Sequence, residues 1–200
     1  MRTYNMRKIS GAPDWNVIPA LDIDTRLWSP ETGIQAHAQV CWDESALHVH
    51  LWAKEAHVRA EQTGLLDMPC EDSCLEFFFA PVAGDKRYFN IEYNPNASLF
   101  LGLGYDRNAY TRLILTDAFS FDAKPARTAD GWEIAYSIPF AFIRLFFPTF
   151  DPKPGDEMRA NCFKCGDLTP QEHYLSWNPV TSENPDFHRP CDFGTMVFEG

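Results

Sequence analysis

Leu75-Glu76-Phe77-Phe78-Phe79 and Tyr88-Phe89-Asn90-Ile91-Glu92-Tyr93-Asn94 are the stretches whose reading decides the fold. In both, large apolar side chains recur at every second position, the period of a strand whose successive side chains point to opposite faces. Leu75, Phe77 and Phe79 thus share a face, as do Phe89, Ile91 and Tyr93. The link Pro81-Val-Ala-Gly-Asp-Lys-Arg87 is rich in turn formers, so the strands are expected to pair as antiparallel neighbours. That pairing would bring Glu76, Asn90 and Glu92 together on one polar face.

Working outward, Ala36 to Trp42 and Leu47 to Lys54 alternate on either side of a short polar link and read as a hairpin. Leu47, Val49 and Leu51 would face the core, and His48, His50 and Trp52 the opposite side. Tyr110 to Leu115 and Phe119 to Lys124 read as further strands, and Trp132, Ile134, Tyr136 and Ile138 mark one face of another, which Pro139 stops. Phe140 to Phe147 is apolar nearly all round and ends at Pro148, so a short buried helix is expected there. Met158 to Cys165, His173 to Trp177 and Thr195 to Glu199 supply the last strands. Roughly nine or ten strands at this spacing predict an all-β fold: a two-sheet antiparallel β-sandwich, jelly-roll-like, with one short helix. Residues 1–200 suit one such domain, because sandwiches of this length do not need to split.

Seventeen Lys and Arg against twenty-eight Asp and Glu leave a net charge of -11, spread along the chain. Such a surface repels phosphate backbones and anionic lipid, so neither nucleic acid nor a charged membrane is an expected partner. Neutral polyols, sugars and divalent cations remain. Sixteen Phe, seven Tyr and six Trp exceed what core filling demands, which leaves some aromatics to face a ligand. The start of the chain carries Arg2, Arg7 and Lys8 but no apolar h-region, which predicts a cytoplasmic protein with its six cysteines reduced; a removed leader would make it secreted.

Several motifs, in order, resemble the family 9 carbohydrate-binding modules. They are Trp42-Asp43 ahead of Leu47-His48-Val49, Glu71-Asp-Ser-Cys-Leu-Glu-Phe-Phe78, and Gly131-Trp-Glu-Ile-Ala-Tyr-Ser-Ile-Pro139. The closing run of Tyr174-Leu-Ser-Trp-Asn-Pro179, Pro185-Asp-Phe-His-Arg-Pro190 and Phe193-Gly-Thr-Met-Val-Phe198 is similar to a bacterial stand-alone branch of that family. The resemblance spans Ile34 to Glu199. It implies a sandwich that binds sugars without catalysis, often at the reducing end of a glucan or xylan, between two tryptophans beside a polar cluster. Indole faces suit the axial C–H groups of a pyranose, and its hydroxyls need charged or amide partners. Carried over by position, the polar cluster falls on Glu76, Asn90 and Glu92, and the second tryptophan position on Phe187. The first tryptophan position is Met68-Pro69-Cys70, without an aromatic. The family's arginine near Asn90 is missing, leaving Arg87, Arg112 or Arg189 to replace it. Trp177 and Arg189 complete the expected ligand-binding set. The expected ligand is a neutral oligosaccharide or polysaccharide, in a setting of polysaccharide or oligosaccharide catabolism. No cofactor is required, although calcium is possible on acidic loops such as Asp151 to Asp156.

Other constellations have plainer readings. Glu76 and Glu92 could serve as a glycosidase pair, yet two acids on adjacent strands are more often a ligand-coordinating face. His48-x-His50 suits two zinc ligands, but no third is evident and exposed histidines on an outer sheet face are the commoner outcome. Cys162-x-x-Cys165 lacks a second CxxC, and its odd offset splits the thiols between strand faces. Asp72 is expected to hydrogen-bond its own loop. No residue is assigned to catalysis or to a metal. The competing functions are a haem- or metal-binding sandwich of the DOMON type and a scaffolding domain that has lost its ligand.

Overall fold

The computed structural model describes residues 1–116 and 119–200. Its strands are β1 (Thr3–Lys8), β2 (Leu21–Asp22), β3 (Thr25–Leu27), β4 (Gln35–Trp42), β5 (Ala46–Lys54), β6 (Cys74–Ala80) and β7 (Tyr88–Tyr93). There follow β8 (Leu99–Asp106), β9 (Ala109–Leu113), β10 (Lys124–Arg127), β11 (Gly131–Pro139), β12 (Glu157–Cys165), β13 (Tyr174–Ser176) and β14 (Gly194–Phe198), with helix α1 (Phe140–Phe146) between β11 and β12.

The β6/β7 pairing sets Leu75 against Tyr93, Phe77 against Ile91 and Phe79 against Phe89. These rings form one half of the interlayer core. Val49, Leu51, Trp132, Ile134, Tyr136 and Ile138, from the antiparallel pair β5 and β11, form the other half. One layer runs β10-β11-β5-β4 and the other β14-β12-β6-β7-β8-β9. β1 joins them: Thr3–Met6 pairs with β14 and Arg7–Lys8 with β4, in both cases parallel. The sandwich is therefore a strongly curled mixed sheet, closed along one side by β1 and antiparallel elsewhere.

The β4/β5 turn is explained by one side chain. Asp43 Oδ1 accepts the backbone N–H groups of Ser45 (2.6 Å) and Ala46 (2.9 Å), so the carboxylate caps the turn and fixes the register of Trp42 against Leu47. The short helix forms as expected, with Phe140, Phe142 and Ile143 buried, but Leu145 faces solvent. Phe119 to Lys124 does not form the expected strand. Phe121 is buried against Phe142, but Asp122 sits at φ +48°, a left-handed conformation that breaks an extended ladder. Pairing resumes only at β10. The short strands β1, β2 and β3, and the longer β8, were not anticipated. No helix among the described residues is long and apolar enough to cross a membrane.

At one end of the sandwich a buried polar knot ties the layers together. Lys164 Nζ lies 3.3 Å from Glu55 Oε2 and donates to Cys165 O and His173 Nε2. Glu55 also accepts from Trp132 Nε1 (2.8 Å) and Ser73 Oγ (2.9 Å). Every charge there has partners, which is what lets a lysine and a glutamate sit in the interior. Lys164 points inward, so its neighbours Phe163 and Cys165 point to the outer face of the β12-β6-β7 layer. That face carries the site.

Candidate functional site

On this outer face the register places Phe163 opposite Glu76, Cys165 opposite Cys74, Glu76 opposite Glu92, and Phe78 opposite Asn90. A second apolar cluster covers part of it, because Val180, Phe187 and Phe193 from the closing segment pack onto Phe78, Tyr88 and Phe163. The strap of residues 185–188 is held from outside by Arg107, whose Nη1 donates to Pro185 O at 2.6 Å. Between strap and sheet is a pocket of about 240 Å³.

Two carboxyl groups form its floor. Glu76 and Glu92 are only 2% and 5% exposed. Burial, and then the negative charge of Glu92, push Glu76 well above the usual carboxylate range, and Cys165 Sγ donates to its Oε1 at 3.0 Å. Burial raises Glu92 to about 7, against the pull of Asn90 Nδ2, which donates to its Oε1 at 2.8 Å. Near neutral pH this floor therefore carries far less negative charge than two free carboxylates would. Protonated carboxyls donate and accept hydrogen bonds, the versatility that sugar hydroxyls match.

Asn90 lies beside this floor, buried, with Oδ1 lacking a partner among the described residues. It fits because β8 presents Gly102 opposite: a Cβ built there would stand 2.0 Å from Asn90 Oδ1. Gly102 is therefore a requirement of the site, since its missing side chain is the space Asn90 occupies.

Aromatic rings form the walls. Phe187 is stacked flat on Phe163, with centroids 4.2 Å apart and planes at 14°, and is 9% exposed. Trp28 stands 5.5 Å from Phe187 and 5.7 Å from Tyr174, its indole N–H donating to Ser182 O at 2.8 Å. Phe100, Tyr110 and His188 also line the pocket, with Tyr110 nearly parallel to His188. Met68, at the first tryptophan position, lines it too. Arg112 holds the loop bearing Met68, donating to Leu66 O and Asp67 O. Asp167 and Asp186 complete the polar rim.

Of the residues expected from sequence, Glu76, Glu92 and Phe187 meet in the pocket; Asn90 does not line it, but donates to Glu92 from the neighbouring position on the same face of β7. Trp177 lies outside it: its ring is 3% exposed in the interlayer core and packs on Gly194. Arg189 is also outside, its guanidinium bound to Asp192 Oδ2 (2.9 Å) and Thr181 Oγ1 (3.2 Å) within the closing segment. Arg87 is bound to Asp85. The guanidinium that does line the pocket is Arg107, from the β8/β9 turn. Sequence reasoning also missed Trp28, which sits at φ +40° in a bend before Ser29-Pro30. A tryptophan beside a Ser-Pro breaker, outside any alternating run, was the available signal.

In the remaining constellations the side chains bond to neighbours within the fold, and His48 and His50 are largely covered, not exposed as expected. His48 Nδ1 and Nε2 are taken by Ser137 Oγ and Asp43 Oδ2, and those of His50 by Gln39 Oε1 and Glu133 Oε2. Cys162 lies in the interlayer core and Cys165 on the outer face. Asp72 Oδ2 accepts the N–H groups of Glu61 and Gln62 and the amide of Asn94. In the loop considered for calcium, Asp151 faces Lys153 and Arg144, so its oxygens meet cationic side chains.

The fold has counterparts among solved structures. A crystal structure of a candidate carbohydrate-binding protein from Bacteroides uniformis superposes with a TM-score of 0.82 at 27% identity, covering 99% of each chain. A family 9 carbohydrate-binding module from Caldicellulosiruptor kristjanssonii, in complex with cellotriose, superposes at 0.69 with 15% identity, covering 100% of this chain and 94% of that one. The same organism's family 9 module in complex with glucose gives 0.67 at 16%, covering 100% and 96%. Comparison with curated proteins gives no match. The sequence profile described as carbohydrate-binding family 9 matches residues 12–198, and by that match the chain belongs to carbohydrate-binding family 9.

Proposed function

We propose that this protein binds a neutral oligosaccharide, or the end of a polysaccharide, in the pocket between the 185–188 strap and the β6/β7 face, and performs no chemistry on it. The observation that carries this reading is the joining, in one pocket, of a buried acid pair with aromatic walls at Trp28, Tyr110 and Phe187. Rings supply a surface for the C–H face of a pyranose, and Glu76 and Glu92 supply hydroxyl partners in a region already stripped of most water. The pocket, about 240 Å³, is smaller than the roughly 300–1,000 Å³ of sites for drug-sized ligands, so it suits about one sugar ring, a terminal unit in place of a long chain segment.

Structural relatives bound to cellotriose and glucose support a glucan unit as the first ligand class to test, with xylan oligomers second. A catabolic setting, with the hydrolysis done by a separate enzyme, agrees with a site sized for the end of a glycan. The protein is expected to fold without a cofactor, with calcium accessory at most, and to work in the cytoplasm with reduced thiols.

Calorimetry with glucose, cello- and xylo-oligosaccharides tests this reading. It predicts dissociation constants on the order of a millimolar, about -4 kcal/mol, because one tryptophan position of the family is filled here by Met68. Absence of heat with every neutral glycan at concentrations several times that constant would leave the scaffolding reading as the better account.

A further inference from the structure

We propose that Cys74, Glu76 and Cys165 form a binding site for a thiophilic divalent cation of the zinc class, whose fourth coordination position opens into the pocket. The proposal goes beyond glycan binding and stands whether or not the pocket takes a sugar. One donor atom from each residue lies within 4.8 Å of the other two, and all three side chains are buried. Among the described residues no other group of three or more His, Cys, Asp or Glu side chains meets this geometry.

The arrangement is set by strand register. Cys74 and Cys165 are directly opposed on β6 and β12, and Glu76 follows Cys74 on the same face two residues along. Donors carried by two paired strands are held more tightly than donors on loops. Zinc sits about 2.3 Å from sulfur and about 2.0–2.2 Å from a carboxylate oxygen, which separates tetrahedral ligand atoms by about 3.5–3.8 Å. Cys165 Sγ and Glu76 Oε1 stand at 3.0 Å, so they need to open by only about half an ångström around an ion. Two sulfurs and one oxygen favour zinc and its soft congeners over calcium or magnesium, which take oxygen ligands. Each thiol loses its proton to solvent as its metal–sulfur bond forms.

Entry and the fourth ligand come from the same side. Glu76 and Cys165 line the pocket, as does Cys70 beside them, so water or a ligand hydroxyl can complete a tetrahedron. Three protein ligands with one exchangeable position is the pattern of a zinc that meets a ligand, in contrast to a closed structural zinc.

The test is cobalt titration of the full chain under reducing conditions after chelator treatment. Exposed Cys191 is first replaced in every sample by Cys191→Ser, so that a surface thiol does not scavenge metal. The expected result is a sulfur-to-cobalt charge-transfer band in the near ultraviolet that saturates at one ion per chain and is displaced by zinc. Cys74→Ser and Cys165→Ser should each weaken cobalt binding about tenfold or more, whereas Cys162→Ser, on the other face of β12, should leave the band unchanged. Because serine at a buried position can unfold the strand, near-ultraviolet circular dichroism accompanies each titration. Glu76→Gln, which keeps both sulfurs, should retain the band with about tenfold lower affinity. No band in the folded parent, unchanged cobalt affinity in both Cys74→Ser and Cys165→Ser, or unchanged affinity in Glu76→Gln would overturn the proposal. Glycan calorimetry with and without zinc reads the sugar site separately.

Discussion

The two outer faces of this sandwich look alike in sequence and differ in what they leave available. On the β5/β11 side, His37, Trp52, His50 and Trp15 form a ladder of rings with successive centroids 4.9–5.2 Å apart, and both ring nitrogens of His48 and His50 have partners. On the β6/β7 side, two acids lie under a strap, and Asn90 Oδ1 has no partner. The first face spends its polar groups on itself. The second keeps groups buried and incompletely matched, which is a standing destabilisation that a ligand can relieve. Aromatic content alone does not mark a binding face; what distinguishes this one is unmatched polarity beneath a covering loop.

The largest effect that would break the comparison is expected at Phe187. Phe187→Ala should abolish detectable glycan binding and destabilise the fold by roughly 3 kcal/mol or more, because the ring fills the cluster against Phe163 and Trp28. Thermal melts and calorimetry check both, and Phe187→Leu, which keeps most of the volume, separates lost stacking from lost folding. Full binding by Phe187→Leu would mean that the aromatic face is not what holds the sugar.

Next comes the response to acid. Burial lowers His188 from the ordinary 6.5 to about 4. As pH falls, the unfolded chain takes its proton first, near 6.5, and the folded chain only near 4, so stability from this group is complete above about 6.5 and is lost progressively down to 4. The loss is at most about 3 kcal/mol. Glu76 and Glu92, whose carboxyls are raised by burial, gain stability as they protonate over the same range, so the His188 contribution is read as a difference: the Tm of the parent should fall relative to that of His188→Asn, which can still offer Tyr88 a partner, as pH is lowered from about 6.5 to 4. An unchanged slope in the variant would show that the strap does not titrate.

Gly102→Ala should act more modestly. Its Cβ would displace Asn90, costing roughly 1–3 kcal/mol of stability and freeing Glu92 from the amide that orients it, with several-fold weaker glycan binding. Wild-type affinity in this variant would remove Asn90 from the account. His48→Ala gives the smallest expected effect: a loss of roughly 1–2 kcal/mol in stability, from two hydrogen bonds, and unchanged affinity. Weakened binding there would mean that the faces are not independent.

How much of this was legible from sequence follows from where the information resides. β6 and β7 could be read because bulky apolar residues fill alternate positions of both, and their pairing put Glu76 and Glu92 side by side. β8 could not, because Gly102 and Gly104 occupy its site-facing positions and leave no polar alternation to see. β1 is short and depends on two parallel partners far along the chain. Phe187 was reachable through the closing motif, whereas Trp28 enters the pocket through a single left-handed residue that no period reports. The Cys74/Cys165 pairing is a matter of register between strands about ninety residues apart, which spacing rules within one segment cannot express.

The most direct test of the central claim follows the indole N–H resonances of Trp28 and Trp52, assigned by Trp28→Phe and Trp52→Phe, during titration with cello-oligosaccharide. The account predicts that Trp28 shifts in a saturable manner while Trp52, on the self-satisfied face, stays still. A saturable shift of Trp52 with Trp28 unmoved would place the sugar on the wrong face and contradict it.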